Sequence, residues 1–175
     1  IKQVNKECYF EEHYVADLVR RIFGGEKGAF IDFRSPSNFL SDMAVIDFDG
    51  LIYPSDEARM LTRTRHIDLS VGSLFSDLDE EKIQTLNLDS LNQVHSDCIH
   101  CAYLPFCGID TIDDLSRYNR SDKLKSETWF CNKQIFFFDW IFEKVRKQDT
   151  EWLRVFAKWI YKTAKPPQNL DLFNA

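Results

Sequence analysis

Four of the five cysteines fall in a spacing that narrows what the middle of this chain can become. Cys98, Cys101 and Cys107 follow C-x2-C-x5-C in the run Cys98-Ile99-His100-Cys101-Ala102-Tyr103-Leu104-Pro105-Phe106-Cys107-Gly108, and Cys131 follows after residues 108–130. A C-x2-C pair lets two thiolates of one tight turn reach a common centre, and Pro105 and Gly108 supply bends that return Cys107 towards it. Cys131 closes the set from a separate segment. Four thiolates suit either a tetrahedral zinc ion or a [4Fe–4S] cluster, and spacing alone does not choose between them.

Such a knuckle needs a reducing compartment, which places the chain in the cytoplasm, with the thiols serving a metal rather than disulfides. The 175 residues make one domain, or one and a fragment of another, and 44% hydrophobic content is enough for a sizeable core. Fifteen Phe and four Trp make that core aromatic. The formal net charge of −6, with no Lys/Arg cluster along the chain, argues against a nucleic-acid partner. No apolar run reaches the length of a membrane span and no signal peptide is visible. The first residue is Ile1 rather than Met, which reads as part of a longer polypeptide.

Periodicity then organises the chain. Residues Glu11 to Phe23 read as a helix with Tyr14, Val15, Leu18, Ile22 and Phe23 on one side, stopped by Gly24-Gly25. Ala29 to Phe33 alternates as a strand, and Arg34 to Asn38 is a loop. Met43–Phe48 and Leu51–Tyr53 flank Asp49-Gly50, a hairpin with an expected type I′ turn. Ser55 is placed to cap a helix opening with Asp56 and Glu57. Val71–Phe75 is extended, Asp77–Leu86 and Leu88–Val94 are helical, and a short helix falls around Ile112–Tyr118. Asn132–Lys147, apolar nearly all round, should be buried. Asp149–Lys162 is the last helix, stopped by Pro166-Pro167.

Other candidates for chemistry are weaker. His100 sits beside Cys101, and two adjacent residues rarely ligate one ion, so it reads as a surface or outer-sphere histidine, as does His95. His13 and His66 carry no pattern. Cys8 stands alone as a small hydrophobe. Asp56 and Glu57 are helix N-terminal charges before they are acid/base catalysts. Ser37 and Ser55 have no triad, phosphate loop or zinc-protease motif around them.

The knuckle resembles the SPASM, or twitch-type, auxiliary iron–sulfur domain found at the C-terminal end of radical SAM enzymes that modify peptides. That family follows C-x(9–15)-G-x4-C, a gap, C-x2-C-x5-C-x3-C, a gap, and C, and the similarity runs from about Ala29 to Phe142. The resemblance implies that Cys98, Cys101, Cys107 and Cys131 hold one auxiliary [4Fe–4S] cluster. The cysteine positions of the family's other cluster fall on Ser37, Ser55 and Thr111, with Gly50 as the motif glycine. A hydroxyl is a poor iron ligand, so that cluster should be absent here. Gly50-Leu51-Ile52-Tyr53-Pro54-Ser55-Asp56-Glu57-Ala58-Arg59-Met60-Leu61 and Asp32-Phe33-Arg34-Ser35-Pro36 are most similar to the maturases of His-Xaa-Ser peptide systems. The SAM-cleaving signature C-x3-C-x2-C is not in this sequence.

The expectation is therefore an α+β fold in which a small β-hairpin and the cysteine knuckle pack with C-terminal helices. Residues 1–28 would end a preceding barrel-like region, 29–147 form the auxiliary-cluster domain, and 148–175 the last helix and tail. The implied function is substrate binding and electron transfer beside a radical SAM barrel, in the same or a partner chain, acting on a peptide substrate, with S-adenosylmethionine bound by the barrel. The alternative is a four-cysteine zinc module without catalysis.

Overall fold

The computed structural model describes residues 1–25, 35–168 and 171–173. The fold is α+β, with helices outweighing one three-stranded antiparallel sheet. In chain order the described elements are α1 (Lys2–Glu7), α2 (His13–Val19), β1 (Val45–Ile46), β2 (Leu51–Tyr53), α3 (Asp56–Arg63), β3 (Gly72–Ser73), α4 (Glu80–Asp89), α5 (Thr111–Tyr118), α6 (Trp129–Arg146) and α7 (Thr150–Ile160). The chain divides into two compact units, Ile31–Asn132 and the pair of segments Ile1–Phe30 and Lys133–Ala175. The first segment and the last helices thus share a unit, where a linear reading sets them apart.

In the unit Ile31–Asn132 the sheet order is β1-β2-β3, with Val45 opposite Tyr53 and Leu51 opposite Ser73. The extended piece at Val71 is thus a third strand. The Asp-Gly turn forms, but not as type I′. Only Gly50 has a positive φ, at 80°, and its N–H bonds the Asp47 carbonyl at 2.9 Å. That is a type I turn closed by a left-handed glycine, a three-residue alternative that leaves Asp49 in an ordinary conformation. A Cβ on Gly50 would also sit 2.8 Å from the Phe75 ring. Ser55 caps α3 as expected, its Oγ accepting the Ala58 N–H at 3.1 Å. Beneath the sheet and α3 lie Phe39, Tyr53, Ala58, Leu69, Val71, Leu86 and Ile112.

The segment from Ser35 to Phe39 is laced to the end of α4 by polar side chains. Ser35 Oγ accepts the Asn92 N–H, Ser90 Oγ accepts the Ser37 N–H, and the Asn87 amide bonds both the N–H and the carbonyl of Phe39. Residues 92–94 form one 3-10 turn rather than a second helix. The expected strand at Ala29–Phe33 lies outside the described residues.

In the other unit α2 runs on into a wider π turn, Arg20–Gly24, ended by Gly25 at φ 67°. Leu18, Val19, Phe138, Ile141, Phe156 and Trp159 are buried together as its aromatic core. Arg20 is buried among them and is matched by Glu11, Asp17 and the Trp159 carbonyl. The expectation that α6 is buried all round is corrected: Phe136 is 65% exposed and Asp139 is exposed too, because the helix offers only one stripe to the core. The turn after α7 places Lys162 at φ 50°, so the helix ends well before the proline pair. Among the described residues no helix is long and apolar enough to cross a membrane.

Candidate metal centre and the hydroxyl cavity

The cysteine knuckle is a chain of tight turns rather than a helix. The Cys101 N–H bonds the Cys98 carbonyl at 2.9 Å, the Leu104 N–H bonds the Cys101 carbonyl at 3.1 Å, and the Cys107 N–H bonds the Tyr103 carbonyl at 2.9 Å. Asn92, buried at the entrance, donates its side-chain amide to the carbonyls of Leu104 and Cys107 and so holds the far arm of the knuckle. Cys131 enters from the first turn of α6, where its N–H bonds the Thr128 hydroxyl at 3.2 Å. All four sulfurs belong to the unit Ile31–Asn132, all are half-buried, and none is in a disulfide.

Electrostatics places three of them together. Burial pushes the Cys98 thiol up to about 12, and the neighbouring Asp97, Cys131 and Cys101 add to the rise while Lys125 opposes it. Burial also raises Cys131, with Cys101, Asp97 and Asp114 as its negative neighbours. Mutual repulsion of this kind requires Cys98, Cys101 and Cys131 to lie within a short electrostatic reach. The Cys107 sulfur lies 3.1 Å from the Gly108 carbonyl. Among the described residues no group of three or more His, Cys, Asp or Glu is arranged to hold a metal ion. The donor set fits a tetrathiolate centre, while the arrangement of side chains leaves it open.

Beside the thiols sits a buried ion pair. Lys125 and Asp114 are 3% and 1% exposed, and the ammonium lies 2.7 Å from Asp114 Oδ2 and 2.8 Å from the Ser121 carbonyl. Burial raises the Asp114 carboxyl and the Lys125 charge pulls it back. The contact has the length of a buried salt bridge. Asp114 Oδ1 is buried without a hydrogen-bond partner. His95 bonds the Asp89 carbonyl through Nε2, and His100 is exposed. Cys8 is exposed rather than a buried hydrophobe, because α1 turns it outward.

One helix links this region to a second site. α5 carries Asp114, and it begins at Thr111. The residues on either side of Thr111, Asp110 and Ile112, line a cavity of about 20 Å³ together with Ser37, Ser55, Glu57, Phe39 and Ile109. Ser37, Ser55 and Thr111 are each no more than 1% exposed. The Thr111 hydroxyl is buried without a partner, and the Ser55 hydroxyl is already engaged as the α3 cap. A cavity of this size has room for about one or two waters, not for a cubane cluster. Hydroxyls that do not ionise near neutral pH offer iron no anionic ligand. Ser37, Ser55 and Thr111 therefore do not form a site that fits a metal cluster.

No protein-family model matches this chain, and neither a curated protein nor a solved structure matches it.

Proposed function

We propose that the chain is the auxiliary-cluster domain of a radical SAM enzyme that modifies a ribosomally made peptide or protein. The observation that carries the reading is the convergence of Ser37 and Ser55 on one small cavity, with Thr111 between two of its lining residues. Family spacing alone picks out Ser37 and Ser55, and an accidental alignment gives no reason for both to line one cavity.

In this reading Cys98, Cys101, Cys107 and Cys131 hold a [4Fe–4S] centre, which supplies one-electron transfer when bound. The protein's part is to bring four thiols to one place, to shed their protons on binding, and to shield the centre from water. The buried Lys125 beside Cys98 offsets some of the negative charge that four thiolates bring. The SAM-cleaving barrel lies in the same or a partner chain, and the peptide substrate is handled jointly with it in the cytoplasm. A structural four-thiolate zinc ion is the second reading, favoured by the same donor set and by the turn-rich knuckle.

Absorption separates them. Protein prepared without air should be brown, with broad absorption near roughly 400 nm that bleaches on reduction, whereas a zinc site is colourless. Colourless, zinc-loaded protein from an anaerobic preparation would sink the cluster reading.

A further inference from the structure

The strongest feature outside the thiol region lies between α1 and α7, within the unit Ile1–Phe30 and Lys133–Ala175. A pocket of about 290 Å³ opens there. Lys2 and Lys6 face it from α1, and Arg154 and Lys158 from α7, while Glu151 is the one carboxylate among its described lining residues. Each helix thus sets two like charges one turn apart, an arrangement that costs helix stability unless something answers it.

Glu151 answers only part of it. Its carboxylate lies 3.1 Å from both the Lys2 and the Lys6 ammonium groups, and Asp149 adds a contact to Lys2 at 3.6 Å. Lys158 donates to the Asn5 carbonyl, a neutral acceptor that leaves its charge in place. Arg154 is exposed and makes no hydrogen bond, ion pair or ring contact among the described residues. Among the described residues, four cations against two carboxylates leave two positive charges over at this pocket, in a chain whose formal charge is −6. Val155, 4% exposed, gives the pocket an apolar floor. The Asn5 side chain is occupied with the Phe10 N–H and carbonyl, which fixes α1 against its own turn.

We propose that this pocket binds a small phosphate monoester. Such a head group carries between one and two negative charges at neutral pH in a single centre, so it can answer Arg154 and Lys158 together, which a monocarboxylate cannot. The volume of this open pocket exceeds that of a phosphate group alone and approaches that of small-molecule sites, so an organic body would lie over Val155. Nothing in this site depends on what the thiols hold.

The test is titration of the 175-residue chain at low salt with phenyl phosphate, inorganic phosphate and benzoate, followed by calorimetry and by the shifts of the Val155 methyls. Phenyl phosphate should saturate with a Kd of about 1 mM or below, at least about tenfold tighter than either control, and should weaken as salt is raised. Arg154→Gln should weaken it by about tenfold, and Arg154→Lys should recover part of the loss. Arg154 is exposed, so neither variant disturbs the fold, and Lys158 is left intact because it also holds α1. Non-saturating shifts, benzoate binding as well as phenyl phosphate, or an unchanged Arg154→Gln variant would overturn the site. Inorganic phosphate binding as tightly as phenyl phosphate would overturn the monoester in favour of the free ion.

Discussion

The thiol knuckle and the hydroxyl cavity belong to one unit and are joined by one helix, yet their chemistry diverges. In the first turn of α5, Asp114 and its partner Lys125 border a set of thiols held by tight turns, by the Asn92 amide and by the start of α6. At the first residue of the same helix, the residues flanking Thr111 line a cavity of about 20 Å³ together with Ser55. The knuckle is a run of turns none of whose residues from Cys98 to Cys107 is fully buried, so a bound metal would supply folding energy there. The cavity is held without one, by the Ser55 cap, the core beneath it and the lacing of Ser37 and Phe39 to α4. A site without thiolates thus holds its shape where local hydrogen bonds and burial do the holding.

The strongest response should come from the knuckle itself. Cys107→Ser is expected to abolish the metal centre and to speed hydrogen exchange between Val94 and Phe130, while α7 and the second half of α6 keep their protection. Unchanged exchange in that stretch would put the knuckle on the same footing as the cavity and erase the contrast.

Next is the ion pair between the two regions. Lys125→Met leaves a buried carboxylate alone and should cost about 3–5 kcal/mol in denaturant unfolding, whereas the double change with Asp114→Leu should recover most of it. A cost below about 1 kcal/mol for the single change would mean that the pair is not desolvated.

Ser55→Ala probes the cavity. Loss of the α3 cap should cost about 1 kcal/mol and leave metal content untouched. A change in metal content would show that Ser55 still serves a metal, and the cavity would then have to be counted as a ligand site.

A smaller response lies outside both regions. Burial alone would raise the Glu11 carboxyl, but hydrogen bonds from Arg20 and Tyr9 hold it at about 2 against an ordinary 4.5. The depressed value means that its stabilisation is present above pH 4.5 and is lost as pH falls towards 2. Glu11→Gln should flatten that acid limb in the fluorescence of Trp152 and Trp159, and an unchanged acid limb would remove Glu11 as its source.

What the sequence made legible was local. Ser55 announces its cap, Gly25 its helix stop and Asp49-Gly50 its hairpin, because each depends on a few neighbouring residues. The turn type was not legible because the loop could close in either of two ways, and only φ at Asp49 separates them. α1 carries no apolar period in Lys2–Glu7; Asn5 and contacts with residues near 150 hold it, and those are invisible along the chain. The basic pocket escaped for the same reason, since its cations stand four at a time only after α1 and α7 meet. The pairing of Asp114 with Lys125 likewise depends on a loop closing. Spacing, not periodicity, is what singled out the thiol set and the hydroxyl positions, of which Ser37 and Ser55 line one cavity.

Whether the thiol knuckle holds a cluster while the hydroxyl cavity holds none is answered by iron and sulfide analysis of protein that has never met air. The expected result is about four iron and four sulfide per chain, lost together in Cys107→Ser and unchanged in Ser55→Ala. About eight iron per chain would contradict it by making the hydroxyl cavity a cluster site, and stoichiometric zinc without sulfide would contradict it at the knuckle.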